Sequence, residues 1–231
     1  LHLMEALAEL VDVTPGSARV REALGETLDL TSRHFFPSPG ATVTRLTPAW
    51  TTQYDSWGLG ATVRWARERL RGPLVSYGHN VEFAWLARRA ARVLGRSDSL
   101  GGLERFLDHA LAHGVDPAGG GVYEFGYGSR PAHATDRVWW PQAEMLSALS
   151  AALDAGDTRG GAYDAARARL VEWVRAGQTD PATGIWRERV RADGTDAPGP
   201  LAHDWKLAYH DLRGVTAYLA SCGMVTIAPD R

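Results

Sequence analysis

Apolar residues recur at three- and four-residue spacing along most of the chain, which is the period of amphipathic helices. Charged and small residues fill the positions between them, so each helix has one face for packing and one for water. The pattern predicts helices over residues 2–12, 16–34, 59–71, 79–95, 99–113, 139–155, 161–177 and 206–221. We therefore expect an all-α fold.

Two stretches rich in Gly, Pro and Asp, 117–131 and 180–200, predict long loops that contain short hairpins. In the second stretch a turn at 180–184 leads into the alternating residues 185–190, and Asp193-Gly194 closes the hairpin. Helices of similar length joined by short connections and by hairpin loops favour a toroid of helical hairpins within one domain, 1–231. Such a toroid gathers loops and helix ends around a funnel where a ligand binds.

Composition excludes several classes of protein. The 231 residues have a formal net charge of −2 and no basic stripe, so we expect no nucleic-acid partner. No apolar run approaches the roughly 20 residues that span a bilayer, so we expect no membrane role. The single Cys222 excludes an internal disulfide and fits a reducing compartment, so we expect a cytoplasmic protein. Nine Trp residues suit core packing and also stacking on sugar rings.

The first candidate site is Tyr-Gly-His-Asn-Val-Glu, in which His79 and Glu82 lie three residues apart on one face of a helix start. A carboxylate beside an imidazole fixes the tautomer of the ring and raises its basicity, as a general base near neutral pH requires. The spacing is equally compatible with His79 capping the helix while Glu82 complements the helix dipole.

Two further segments carry candidate ligand-binding residues. In Trp-Trp-Pro-Gln-Ala-Glu, the pair Trp139 and Trp140 would form an aromatic floor, and Gln142 and Glu144 would bind sugar hydroxyls. Packing of the Trp side chains between helices, with Gln142 and Glu144 in solvent, is the alternative, since burial is the commoner use of such rings.

The third segment is Trp-Lys-Leu-Ala-Tyr-His-Asp-Leu-Arg, in which Trp205 and His210 flank a helix start and Arg213 lies on the face of His210. With His79, His210 would supply the two proton-transfer groups that chemistry at a C–H carbon requires.

These segments, in this order, resemble the Gly-His-x-x-Glu-x-x-Trp-Leu, Trp-Trp-x-Gln-Ala-Glu and Trp-Lys-x-x-Tyr-His-x-x-Arg segments of the N-acylglucosamine 2-epimerase and cellobiose 2-epimerase superfamily. The opening His-Leu-Met-Glu-Ala resembles a further His-containing segment from the middle of those proteins. The resemblance covers only the C-terminal part of the family's chain, so we expect a portion of an (α/α)6 barrel without its N-terminal helices. The family's Asn-Gly in the third segment is Asp211-Leu212 here.

The resemblance implies a sugar 2-epimerase that needs no metal or redox cofactor. His79 and His210 would be the acid/base pair, and Glu82 would support the proton transfer. His2, Trp140 and Trp205 would line the sugar site. One His would remove the C2 proton of the open-chain aldose, and the other would return a proton to the opposite face of the cis-enediolate.

Two other functions remain open. An aldose–ketose isomerase of the mannose isomerase type would share the site and return the proton to C1. A truncated family member that binds carbohydrate without turnover is the non-enzyme alternative. Exposed edges of an incomplete ring would drive association, so a homodimer is possible.

Overall fold

The computed structural model describes residues 1–43, 59–96 and 102–226. Helices α1–α8 span His2–Val13, Ala18–Leu30, Leu59–Arg71, Tyr77–Leu94, Glu104–His113, Trp139–Asp154, Ala162–Trp173 and Tyr209–Ser221. Strands β1–β4 are Leu74–Ser76, Phe125–Tyr127, Arg137–Val138 and Arg189–Val190. Over these residues no helix has both the length and the apolar character that crossing a membrane requires.

The all-α prediction is confirmed, and most helices lie within a few residues of their predicted bounds. The helices predicted over 16–34 and 161–177 each end in a wider π-helical turn, at Thr31–Phe35 and Val174–Gln178. The helix predicted from residue 206 begins instead at Tyr209, because residues 203–206 form a tight turn. The predicted start at residue 99 lies outside the described residues, within which α5 begins at Glu104.

The helices pack around two buried apolar clusters. One cluster joins α4, α5, α6 and α7 and includes Tyr77, Leu149 and Leu170. The other joins α1, α2, α4 and α5, with Phe36 stacked on Phe83 at a ring distance of 4.4 Å. Helix α6 lies between α4 and α8 and is buried along most of its length. Its sequence is therefore apolar or small on nearly every face, as expected for a central helix.

Two small antiparallel sheets fix the points where α4 and α6 begin. Strand β1 pairs with β2, and β3 pairs with β4. The prediction of a hairpin inside 117–131 is correct only in part. Strand β2, which lies in this stretch, pairs with β1, which precedes α4. An isolated bridge joins Val115 to Val122. The turn at 180–184 is confirmed by the Gly184 N–H, which donates to the Asp180 carbonyl at 2.8 Å.

Candidate active site

His79 lies in the first turn of α4, against the indole of Trp140. The two ring centroids are 4.7 Å apart, and the His79 Nδ1 is 2.7 Å from the Ser76 hydroxyl. Burial lowers the pKa of His79 to about 4, so the ring is neutral near pH 7. Its hydrogen-bond partner is Ser76, not Glu82 as the spacing had suggested.

His210, in the first turn of α8, approaches the same indole. Its ring centroid is 6.0 Å from that of Trp140, and its Nδ1 lies 2.6 Å from the Oε1 atom of the fully buried Glu144. The Glu144 Oε2 atom accepts a hydrogen bond from the Trp85 indole at 2.9 Å. A carboxylate that accepts the Nδ1 proton leaves Nε2 as the reactive nitrogen. The imidazole–carboxylate pair predicted for His79 and Glu82 is therefore formed by His210 and Glu144.

Glu82 lies one turn after His79 and is almost completely buried. Its Oε1 atom has no hydrogen-bond partner within the described ranges, and the nearest cationic groups are His2 Nδ1 and Arg213 Nη2, each 3.9 Å away. Burial, followed by repulsion from Glu144, raises the pKa of Glu82 to about 8. Near neutral pH this carboxyl is therefore mostly protonated and has an O–H to donate.

Arg213 holds two acidic residues from different helices together. Its guanidinium hydrogen-bonds to Glu144 on α6 and to Glu5 on α1. It also stacks over Trp85 and Tyr209, with Cζ 4.8 Å and 4.5 Å from the ring centroids. Stacking of this kind depends on the planar shape of the guanidinium, which an ammonium group lacks.

His2, at the start of α1, completes the cluster on its exposed side. Its Nδ1 lies 3.5 Å from Glu5 Oε2, and its ring centroid is 6.1 Å from that of His210. The hydrogen bond with Glu5 is the main cause that raises the pKa of His2. Most of the site is thus built from the first two turns of α1, α4, α6 and α8, whose N-terminal ends favour negative charge.

Three predicted binding residues lie outside this cluster. Trp139 is buried, with its ring centroid 6.3 Å from that of His203. The Gln142 amide is fully buried and bonded to the backbone: its nitrogen donates to the Val122 and Val138 carbonyls and its oxygen accepts from the Val122 N–H. Gln142 therefore holds a loop onto α6 and has no amide group free for a sugar. Trp205 is 86% exposed, on the turn before α8.

Four cluster residues were not among the predicted site residues: Ser76, Glu5, Trp85 and Tyr209. Glu5 follows His2 by three residues, and Tyr209 precedes Arg213 by four. Helical spacing therefore could have placed each of them on the same helix face as a predicted site residue. Trp85 is the Trp of the Gly-His-x-x-Glu-x-x-Trp-Leu segment. Nothing in the sequence around Ser76 marked its hydroxyl as the partner of a His ring.

A cavity of about 620 Å³ borders the charged side of the cluster. Its lining includes Glu5, Trp85 and Arg213, and continues along small residues of α6 and α8. The lining includes neither His79 nor His210. Over the described part of the chain, no three His, Cys, Asp or Glu side chains are grouped to hold a metal ion.

The chain belongs to the N-acylglucosamine 2-epimerase (GlcNAc 2-epimerase) family, whose profile matches residues 1–213. The superfamily that the motifs resemble is thereby confirmed.

Named relatives agree with this assignment. The cellobiose 2-epimerase of Bacteroides fragilis is 31% identical over 145 residues, which are 61% of this chain and 36% of that protein. The cellobiose 2-epimerase of Eubacterium cellulosolvens is 28% identical over 154 residues, 61% of this chain and 34% of that protein. The chain thus spans about a third of the length of these relatives.

Solved structures establish the fold as that of the (α/α)6-barrel type. The cellobiose 2-epimerase from Bacillus thermoamylovorans matches with a TM-score of 0.75 at 21% identity, over 95% of this chain and 51% of that one. A D-mannose isomerase matches with a TM-score of 0.70 at 18% identity, over 95% of this chain and 55% of that one. The match covers about half of each solved chain.

Proposed function

We propose that this chain carries the proton-transfer site of a sugar 2-epimerase that acts at the reducing-end residue. The observation that supports the proposal most directly is that the imidazoles of His79 and His210 lie against one indole, Trp140. Epimerisation at C2 needs one group to remove a proton and a second to return one to the opposite face. An open-chain sugar lying against Trp140 would have both groups within reach of C2.

The two histidines have different environments, as two different roles require. His79, with a pKa of about 4, is neutral and can accept a proton through Nε2 when its Nδ1–H donates to Ser76. His210 keeps the Glu144 carboxylate beside it, which balances the positive charge when its ring holds a proton. In the forward direction His79 takes the C2 proton of the open-chain aldose, and His210 gives a proton to the opposite face of C2.

The intermediate is a cis-enediolate, whose negative charge the site is arranged to stabilise. The first turns of four helices meet at the site, and their N-terminal dipole ends would favour this negative charge. The Glu82 carboxyl, protonated below a pKa of about 8, can donate a hydrogen bond to an enediolate oxygen. The carboxylates of Glu5 and Glu144 are both hydrogen-bonded to Arg213, whose positive charge would offset part of their repulsion of the intermediate.

Aldose–ketose isomerisation is the second candidate, favoured by the similarity to a D-mannose isomerase. The first proton transfer is the same, and returning the proton to C1 gives a ketose. We assign glucose, mannose, their β-linked disaccharides and N-acylglucosamine to the substrate class, bound as open-chain sugars.

Proton NMR in deuterated water, with glucose, mannose, cellobiose and N-acetylglucosamine, tests the proposal. Deuterium at C2 with formation of the C2 epimer supports the epimerase, and a ketose product favours the isomerase. We expect His79→Asn and His210→Asn each to slow C2 exchange by about 10²–10⁴-fold, the effect of losing a general acid or base. His113→Asn, on α5, is the matched control.

Near-normal C2 exchange by either His79→Asn or His210→Asn would contradict the acid/base pair. A folded wild-type chain that binds cellobiose but exchanges no proton would be the non-catalytic carbohydrate-binding alternative.

A further inference from the structure

The serine that precedes α4 does not cap this helix with its side chain. A serine in that position usually accepts a hydrogen bond from a backbone N–H of the first turn, as Ser17 does from the Val20 N–H at the start of α2. Ser76 occupies the same position before α4 but makes no such bond. Its Oγ atom lies 2.7 Å from His79 Nδ1 instead. The hydroxyl is therefore bonded to a histidine ring and not to the helix terminus.

Two buried polar side chains hold Ser76 in this position. The Thr42 hydroxyl donates to Asn80 Oδ1 at 2.7 Å and accepts a hydrogen bond from the Ser76 N–H at 3.2 Å. The Asn80 amide nitrogen in turn donates to the Pro39 carbonyl at 2.6 Å. Thr42 thus binds both the residue that carries the hydroxyl and the residue directly after His79. Because Thr42, Ser76 and Asn80 are all buried, their hydrogen bonds are costly to break and keep the start of α4 rigid.

The Ser76 hydroxyl can bond to Nδ1 of His79 in two ways. It accepts the Nδ1 proton, or it donates its own proton to Nδ1, in which case the ring proton is on Nε2. Only the first arrangement leaves Nε2 with a free lone pair that can take a proton from carbon. The carboxylate of Glu144 stabilises a positive charge on His210, whereas a neutral hydroxyl orients His79 without doing so. Ser76 is thus suited to a histidine that must be neutral before it acts.

We infer that Ser76 is a positioning residue: its hydroxyl accepts the Nδ1 proton of His79 and so keeps Nε2 free as the base, while Thr42 and Asn80 hold that hydroxyl in place. The inference rests on the proposed function, since it needs His79 to take the C2 proton. Ser76 acts through the ring of His79 and takes no part in the bond changes at C2. Loss of its hydroxyl should therefore lower the fraction of chains with the active tautomer, which lowers kcat and leaves KM unchanged.

Steady-state deuterium entry at C2 tests this split between kcat and KM, with whichever of glucose, mannose, cellobiose and N-acetylglucosamine the wild-type chain exchanges. We expect Ser76→Ala to lower kcat about fivefold, the effect of losing one neutral hydrogen bond, and to keep KM within about twofold. Ser150→Ala is the matched control, because Ser150 is an equally buried serine on α6 whose Oγ has no hydrogen-bond partner among the described residues. A wild-type kcat in Ser76→Ala, or a rise in KM at unchanged kcat, would overturn the inference.

Thr42→Val tests the support of Ser76 while leaving the bond between Ser76 and His79 in place, and it keeps the test available if Ser76→Ala does not fold. The change removes the acceptor of the Ser76 N–H and the donor to Asn80, so we expect kcat to fall about twofold to threefold. The double variant Ser76→Ala/Thr42→Val should match Ser76→Ala alone, because Thr42 acts on His79 through Ser76. Multiplied losses in the double variant would exclude Thr42 from the positioning of the hydroxyl.

Heteronuclear NMR of protein with isotope-labelled histidine nitrogens observes the tautomer of His79 without turnover, and His79→Asn assigns the signal. Near neutral pH we expect the proton on Nδ1 in the wild type and in Ser150→Ala, and a mixture with the proton on Nε2 in Ser76→Ala. A wild-type ring protonated on Nε2 would refute the inference. A wild-type chain that exchanges no proton with any of the four sugars would refute the proposed function and the part of Ser76 in it, whereas the change of tautomer in Ser76→Ala would still establish that Ser76 selects the protonated nitrogen.

Discussion

Two glutamates of one site, Glu5 and Glu82, show how partners decide the charge of a carboxyl group. Burial raises the pKa of Glu5, but hydrogen bonds from His2 and Tyr209 and the charge of Arg213 outweigh it and lower that pKa to about 2. Glu82 has no such hydrogen bond within the described residues, so burial dominates and raises its pKa to about 8. Identical residues thus carry opposite protonation states at neutral pH.

The raised pKa of Glu82 predicts a loss of stability with rising pH. The unfolded chain releases this proton near pH 4.5 and the folded chain near pH 8, so the folded state loses stability as pH rises through that window. Glu82→Gln removes the titration. We expect the variant to gain stability relative to wild type, on the order of 3 kcal/mol, between pH 5 and pH 8.

Urea unfolding at pH 5, 6.5 and 8 measures this difference. Glu172→Gln, at an exposed position of α7, should follow the wild-type pH dependence. A Glu82→Gln curve parallel to wild type at all three pH values would mean that Glu82 ionises normally in the folded protein.

At the scale of elements, the close crossing of α6 and α8 brings Glu144 within reach of His210 and Arg213. The contact is made at Gly214, where an added Cβ would lie 2.7 Å from the Ala143 carbonyl oxygen. This neighbour is helix backbone and cannot rotate away, so only glycine permits the approach. The glycine therefore sets the distance between the histidine and its carboxylate.

Gly214→Ala should destabilise the protein by about 1–3 kcal/mol, because α8 must move away from α6. C2 exchange should fall as well, since the move separates His210 from Glu144. The matched control is Gly25→Ala in α2, where the added Cβ meets only side-chain atoms at 3.5 Å or more. There alanine should stabilise the helix by about 0.5–1 kcal/mol. Thermal unfolding of both variants provides the comparison. Equal melting temperatures of Gly214→Ala and Gly25→Ala would argue against a close contact between α6 and α8.

At the scale of the molecule, the site joins the two ends of the described chain. Tyr209 and Arg213 on α8 both hydrogen-bond to Glu5 on α1, across 204 and 208 residues of sequence. Contacts between segments so far apart in sequence order both segments at once, and they must offset the entropy cost of closing a long loop. The cluster of Glu5, Tyr209 and Arg213 is therefore also the contact between α1 and α8.

Glu5→Gln should weaken the contact between α1 and α8. We expect faster amide exchange in both α1 and α8, with a loss of about 1–3 kcal/mol in stability from weakened hydrogen bonds to charged partners. Glu9→Gln is the control: Glu9 pairs with Arg89 on α4, so its change should leave α8 protected. Faster exchange confined to α1 in Glu5→Gln would show that α8 is held by its packing on α6 instead.

The sequence by itself determined the helices and named several of the residues that meet in the cluster. Periodicity located α1, α3 and α6 closely, because an amphipathic stripe is a local property of the chain. The motifs named His79, His210, Glu82 and Arg213, which all lie in the cluster. Their placement together was predicted from resemblance, while their catalytic roles remain proposals.

Only the tertiary structure decided which partner each side chain has. Helical spacing paired His79 with Glu82, yet the fold gives His79 to Ser76 and pairs His210 with Glu144, 66 residues away. It likewise turned Gln142 inward to the backbone and left Trp205 in solvent. The physical reason is that hydrogen bonding and burial depend on groups brought together across helices, whereas a sequence pattern reports only which residues share a face of one helix.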